Sequence, residues 1–304
     1  MEKKDFENRV AFAIGTGRCG TQFLARLMAY EPEVHSVHER NALNETFHRY
    51  SKWYDLPIDN GGFLKSKELE IVEDLKSKKI SFEASAFLSI SVKELYEKFG
   101  AKFVLLVRSP EKVVNSYLAK GWYENQLYYT DKNLALGYQE NTSFHHFLGR
   151  PVPVGDGFAE WNKMSKVGKL AWYWNELNDK SIKILQEIPE NFWMIQKIED
   201  LNYESYQKIC QFLSVESKIS SHKFNILSGD KHSFSNTPTI ASWTDTEIQE
   251  FQLKASDMAR YLGYEYEVKK LEIPHREAEK NIHIYRHISR IKKKASNIIF
   301  PKRV

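Results

Sequence analysis

Residues 9–28 read RVAFAIGTGRCGTQFLARLM, and their reading decides the fold. Residues 10–14 are an apolar run of strand length, Gly15, Gly17 and Gly20 punctuate a tight loop, and Phe23, Leu24, Leu27 and Met28 recur at helical spacing. Strand, loop and helix in that order bring unpaired backbone N–H groups and the positive end of a helix dipole to one spot, where glycines let the backbone come close. Such a turn is a cradle for phosphate or sulfate, although glycine-rich turns also arise for close packing alone. A nucleoside-triphosphate loop would read G-x-x-x-x-G-K-[ST]. Gly15 and Gly20 keep that spacing, but Thr21 follows Gly20 directly and the cation, Arg18, lies inside the loop. Gly15, Thr16, Gly17, Arg18, Cys19, Gly20, Thr21 and Gln22 therefore suit a nucleotide with a single 5′ phosphate and a short transferable extension better than a triphosphate.

Beyond the first helix, Pro32 breaks the pattern and residues 34–37 form a second short strand that delivers His38 and Glu39 to its carboxyl end. Ligands of open parallel sheets bind at that edge, so Glu39 is a candidate general base and His38 its neighbour or rival. Residues 44–63 read as an irregular connection able to line a substrate pocket, and 69–79 as an amphipathic helix. Residues 80–90 begin as a strand, with Glu83 and Ser85 near its end, and 91–99 return to helix. The stretch KFVLLVRSPEKVVNSYLAKGW, 102–122, is the second informative one. Its continuous apolar run is typical of a central parallel strand. A helix start follows, with Ser109 as N-cap, Pro110 at the first position and Glu111 in the first turn. Arg108 at the strand end offers a planar fork for a phosphate, and Ser116, eight residues on, adds a hydroxyl; a surface pair of Arg108 with Glu111 is the plainer alternative. Residues 169–185 read as a long core helix.

Length and composition fit one α/β domain. The chain has 304 residues, 42% hydrophobic and 13% aromatic, enough for a large core. Lys plus Arg number 44 against 40 Asp plus Glu, and a net charge of +4 tolerates an anionic ligand but excludes a dedicated nucleic-acid binder. Cys19 and Cys210 are too far apart in sequence for a metal motif or a disulfide framework, which points to a reducing compartment. The charged start MEKKDFENR and the lack of a long apolar run lead us to expect a cytoplasmic protein without signal peptide or membrane span. Residues 273–304 differ from the domain at 1–272. Ile284, Ile288, Ile291, Ala295 and Ile298 form a helical stripe beside Arg286, Arg290 and Lys292 to Lys294, a pattern suited to peripheral contact with an anionic membrane or, more simply, to packing on the domain.

With both stretches read, the chain resembles the sulfotransferases that use 3′-phosphoadenosine 5′-phosphosulfate (PAPS). Gly17-Arg18-Cys19-Gly20-Thr21 matches that family's [PG]-[KR]-x-G-[ST] motif for the 5′-phosphosulfate, and Arg108 with Ser116 matches its 3′-phosphate motif. The likeness extends over about residues 8–265, through FEASAFLS, FWMIQKIEDLNYESYQKICQFLSV and the 225–243 segment. It implies an α/β, three-layer P-loop-like domain with a central, mainly parallel sheet flanked by helices. It further implies PAPS as donor, PAP as product, no metal requirement, and Glu39 as base in the manner of the tyrosylprotein and Golgi-type branches. Lys231 and Ser235 fall where the family closes a loop over the nucleotide. Cys19 and Gln22 depart from its usual small or hydroxyl residues, and for Cys19 a plain steric role is the simpler reading. The insert at 122–162 is rich in aromatics and histidines; Tyr123, His145 and His146, with Glu83, are the residues expected at an acceptor, a carbohydrate or small natural product. Two other classes stay open. A P-loop nucleotide kinase is disfavoured by the missing Lys after Gly20, and a non-catalytic nucleotide-binding protein would keep the same fold.

Overall fold

Five parallel strands carry the architecture: β1 (Val10–Gly15), β2 (Val34–His38), β3 (Ile80–Ala84), β4 (Lys102–Val107) and β5 (Trp193–Lys197), in the order β2-β3-β1-β4-β5. The computed structural model describes residues 2–123, 150–229 and 238–264. These lie in a compact unit that spans Met1–Tyr266. The helices among them are α1 (Thr21–Met28), α2 (Ala42–Trp53), α3 (Gly61–Leu75), α4 (Val92–Phe99), α5 (Pro110–Leu118), α6 (Gly157–Lys163), α7 (Lys166–Leu185), α8 (Tyr203–Phe212), α9 (Ser221–Gly229) and α10 (Asp245–Tyr261). The basic extension expected at 273–304 lies outside the described residues.

The sheet is buried on both faces because helices cover both, and the central strands β1 and β3 are buried along their whole length. Strand alternation sends Ala11, Ala13, Phe82, Ala84, Val104 and Leu106 into one core cluster, which Leu24, Leu27 and Met28 of α1 and Tyr206 and Ile209 of α8 complete. Phe12 and Phe103 stack with centroids 5.8 Å apart on the alternate positions. The long helix α7 packs on α10, α5, α4 and β1. Burying an apolar side chain of this size stabilises by about 1.5–3 kcal/mol, and the apolar runs of β1 and β4 at the middle of the sheet supply much of that burial.

The connection expected at 44–63 is different from that expectation: α2 fills its first half, and α3 begins at Gly61 rather than near 69. The cause is polarity. On α2 the buried positions are Glu45, Thr46, His48, Arg49 and Trp53, while Leu43 and Phe47 are 54% and 43% exposed, so the inner face is mostly polar and shows little apolar periodicity. On α3 Lys67, Glu68 and Asp74 are buried alongside Phe63 and Ile71, and Leu69 is 60% exposed. These helices turn charge toward β3, whose alternate residues answer in kind. Ser81 Oγ donates to Asp74 Oδ2 at 2.6 Å, and Lys67 Nζ lies 2.8 Å from Glu83 Oε2.

Candidate active site

The chain leaves β1 toward β2 and β3 on one side and leaves β4 toward β5 on the other, so the carboxyl ends of β1 and β4 flank the crevice where such sheets bind ligands. Gly15 pairs in register with Leu106, two residues before Arg108. The loop from Gly15 to Gly20 thus opens beside Arg108.

That loop is held from beneath. Ser89 Oγ lies 3.1 Å from the Gly15 N–H and accepts it, and the Thr16 carbonyl accepts two buried tyrosine hydroxyls, Tyr117 at 2.7 Å and Tyr173 at 3.0 Å. Gly17 has φ +78°, and a Cβ there would run into the Tyr117 hydroxyl; Gly20 has φ +100°, and a Cβ there would strike Ile198. Both positions need glycine on two counts. Arg18 between them also takes a positive φ, +57°, as does Glu39 at +48°. Left-handed backbone is unfavourable for side chains of this kind and concentrates at functional sites. Cys19 is fully buried, and burial pushes its thiol up to about 11, so it fills space as a neutral group.

The two sequence motifs meet at Arg18. Its Nε donates to Ser116 Oγ at 2.7 Å, and Arg108 Nη1 donates to the Arg18 carbonyl at 2.9 Å. Trp174 Nε1 holds the Arg108 carbonyl at 3.0 Å. Burial lowers the pKa of Arg108, with Glu199 opposing and Arg18 adding to the shift. An arginine still keeps its charge under such a shift. Glu199 accepts the Ser109 N–H at 3.1 Å and the Tyr264 hydroxyl at 3.1 Å, contacts that help to keep it ionised against its burial.

On the β2 side, His38 Nε2 lies 3.2 Å from Thr21 Oγ1 and 3.9 Å from Glu39 Oε1. Burial lowers the His38 pKa against the pull of Glu39 and Glu45, which favours a neutral ring at the hydroxyl of the first helical residue. Arg18, Ser116, Arg108, Thr21, His38 and Glu39 are therefore gathered around one loop. Gln22 is exposed in the first turn of α1.

Other predicted positions fall elsewhere. Glu83 is buried, 4% exposed, inside the charge seam under β3 rather than lining an open pocket. Tyr123 is buried too; its hydroxyl donates to the Pro151 carbonyl at 2.6 Å and its ring meets Trp161 edge-on at 5.1 Å, so it packs the base of the insert. His145, His146, Lys231 and Ser235 lie outside the described residues. Sequence reading passed over Tyr117, Tyr173 and Ser89, and also Lys120. That lysine stands one turn beyond Ser116, and its pKa is lowered by burial and by Arg18 while Glu39 opposes. Its spacing from Ser116 was the available signal; the buried tyrosines had none. Among the described residues no group of His, Cys, Asp and Glu is arranged to hold a metal, and no helix is long and apolar enough to cross a membrane.

No protein-family model matches the chain, and no curated protein matches its sequence. Solved structures do resemble its backbone. The sulfotransferase STF9 from Mycobacterium avium aligns at 10% identity over 86% of this chain and 78% of that one, with a TM-score of 0.51. The sulfotransferase domain from the curacin biosynthetic pathway aligns at 14% identity over 85% of this chain and 99% of that one, TM-score 0.49. The sulfotransferase domain from the Synechococcus PCC 7002 olefin synthase aligns at 13% identity over 88% and 99%, TM-score 0.45. With the first of these superpositions, the parallel five-stranded sheet and its flanking helices define a sulfotransferase-like P-loop fold.

Proposed function

We propose that this protein is a sulfotransferase that moves a sulfuryl group from PAPS to an acceptor hydroxyl or amine. The observation that carries the reading is the meeting of Arg18, Ser116 and Arg108 on a glycine-constrained loop at the sheet's switch point. Arg108 spends one Nη1 donor on the Arg18 carbonyl, and a guanidinium has five, so a fork remains for a 3′ phosphate that Ser116 also faces. Thr21 and the start of α1 receive the 5′ phosphate. A triphosphate reading lacks the lysine that would follow Gly20.

In the proposed reaction the acceptor atom attacks sulfur in line. The new bond to sulfur forms as the bond between sulfur and the 5′-phosphate oxygen breaks, and PAP departs with the electron pair. Glu39 takes the acceptor's proton, and Arg18 meets the negative charge that grows on the departing oxygen. His38, bonded to Thr21, keeps the mouth of the loop in order. A carbohydrate hydroxyl or small natural product remains the expected acceptor, to be identified with labelled PAPS and an acceptor panel.

Two measurements test this. Glu39→Ala should lower turnover by about 10²–10⁴-fold with PAP affinity retained; near-normal turnover would move the base to His38. In calorimetry PAP should bind, Arg108→Ala should weaken it about 10- to 100-fold, and 5′-AMP should bind the wild type no better than PAP binds that variant. Equal wild-type affinity for PAP and 5′-AMP would remove the 3′-phosphate site.

A further inference from the structure

The backbone at Glu39 is left-handed, φ +48°, although a glutamate gains nothing from that conformation. Two bonds from the end of β3 hold it there. The Glu39 N–H donates to the Ala84 carbonyl at 3.1 Å, continuing the ladder in which His38 pairs with Ala84. The next N–H, that of Arg40, donates to a side chain, Glu83 Oε1, at 3.2 Å. Glu83 is in turn gripped: its Oε2 lies 2.8 Å from Lys67 Nζ, which also meets Glu45 Oε1 at 2.6 Å and Glu70 Oε2 at 2.9 Å. Ser85 Oγ donates to Glu45 Oε2 at 2.5 Å. The Arg40 guanidinium is fastened independently, to Asp74 Oδ2 at 2.7 Å and to the Glu70 carbonyl at 3.1 Å.

We propose that Glu83 is a positioning residue for Glu39: its carboxyl, clamped by Lys67, takes the Arg40 amide and so fixes the turn from which the base projects. The catalytic part of this rests on the reading of Glu39 as base. Burial, and then the neighbouring Glu45, push Glu83 up to about 8, which favours its neutral form at neutral pH. Its carbonyl oxygen still accepts from Arg40, and no second full negative charge is placed behind Glu39. A carboxyl suits the place better than an amide, because an amide NH₂ in the position of Oε2 would face the Lys67 ammonium.

The test combines amide exchange, PAP calorimetry and release of labelled sulfate from labelled PAPS. In Glu83→Ala, amides at 38–41 should exchange at least about tenfold faster, PAP affinity should stay within about twofold, and release should fall about tenfold or more. Glu83→Gln, which restores the acceptor for Arg40, should recover most of both losses. Added to Glu39→Gln, Glu83→Ala should cause no further loss of rate, because it acts through a base already removed. Where Glu83→Ala does not fold, Glu83→Asp, which draws the carboxyl back by one methylene, reads the same bond and should also speed exchange. Unchanged exchange at 38–41, no recovery in Glu83→Gln, or fully additive losses would overturn the proposal. A Glu39→Gln variant with normal release would instead overturn the base assignment, and the exchange result would stand apart from it.

Discussion

Cys19 sits in the middle of the Gly15–Gly20 loop as a filler, and the same holds for Cys210 in the α8 layer. Both are buried, and burial pushes each thiol up to about 11. At about pH 8 roughly one thiol in 10³ is then ionised, so a thiol reagent should label neither residue until the protein unfolds. Rapid labelling of Cys19 in the native protein would contradict this. At this scale legibility followed side-chain identity. Gly17 and Gly20 announce positive φ in the sequence because glycine tolerates it best, and the structure gives each a neighbour that leaves no room for a Cβ. The positive φ of Arg18 and Glu39 carries no such mark. Nor do the Tyr117 and Tyr173 hydroxyls that hold the Thr16 carbonyl from 101 and 157 residues away in the chain.

Among the elements, α2, α3 and β3 are where periodicity misleads. Apolar spacing identifies a helix by its inner face, but here the inner faces carry Glu45, Arg49, Lys67 and Asp74. β3 does alternate, Ser81-Phe82-Glu83-Ala84-Ser85, yet its polar side is buried because α3 supplies the partners. β1 and β4, buried on both faces in an apolar setting, were legible as continuous runs. Lys67 is the centre of the charged seam; burial opposes its charge, but the carboxyl groups around its ammonium outweigh burial and raise its pKa. Lys67→Met should destabilise by about 3–5 kcal/mol in denaturant unfolding, since it strands buried carboxylates. The pH dependence has a definite sign. Glu83 binds its proton more tightly folded than unfolded, so its contribution is complete below the ordinary carboxylate range and is lost as pH rises through about 8. The charges that face it are Lys67 and Glu70 of α3, Glu45 of α2 and the Arg40 guanidinium beyond the turn. Glu83→Gln should therefore flatten the decline in stability between about pH 5 and pH 9 relative to wild type. An unchanged slope would show that Glu83 is ionised throughout.

For the whole molecule, the strand order β2-β3-β1-β4-β5 matters because it puts the loop after β1 and the residue after β4 side by side. Spacing alone does not give that order; the resemblance of the two motifs implied only a central, mainly parallel sheet flanked by helices, and the superposition on a sulfotransferase structure agrees with that architecture. Ligand binding should then report on the entire unit. At about 100 times its Kd, PAP should add about 2.7 kcal/mol to the unfolding free energy, and Arg108→Ala should forfeit most of that gain at the same concentration. A thermal shift equal in both proteins would place the nucleotide elsewhere. The ion set around Lys67 draws on α2, α3 and β3, contributed by Glu45, Lys67 with Glu70, and Glu83. None of these groups gains from leaving water before the others arrive, because a half-assembled set is a buried charge without its counterion. The seam should therefore close late in folding, after the apolar strands have met, so that Lys67→Met should speed unfolding more than it slows folding in stopped-flow kinetics.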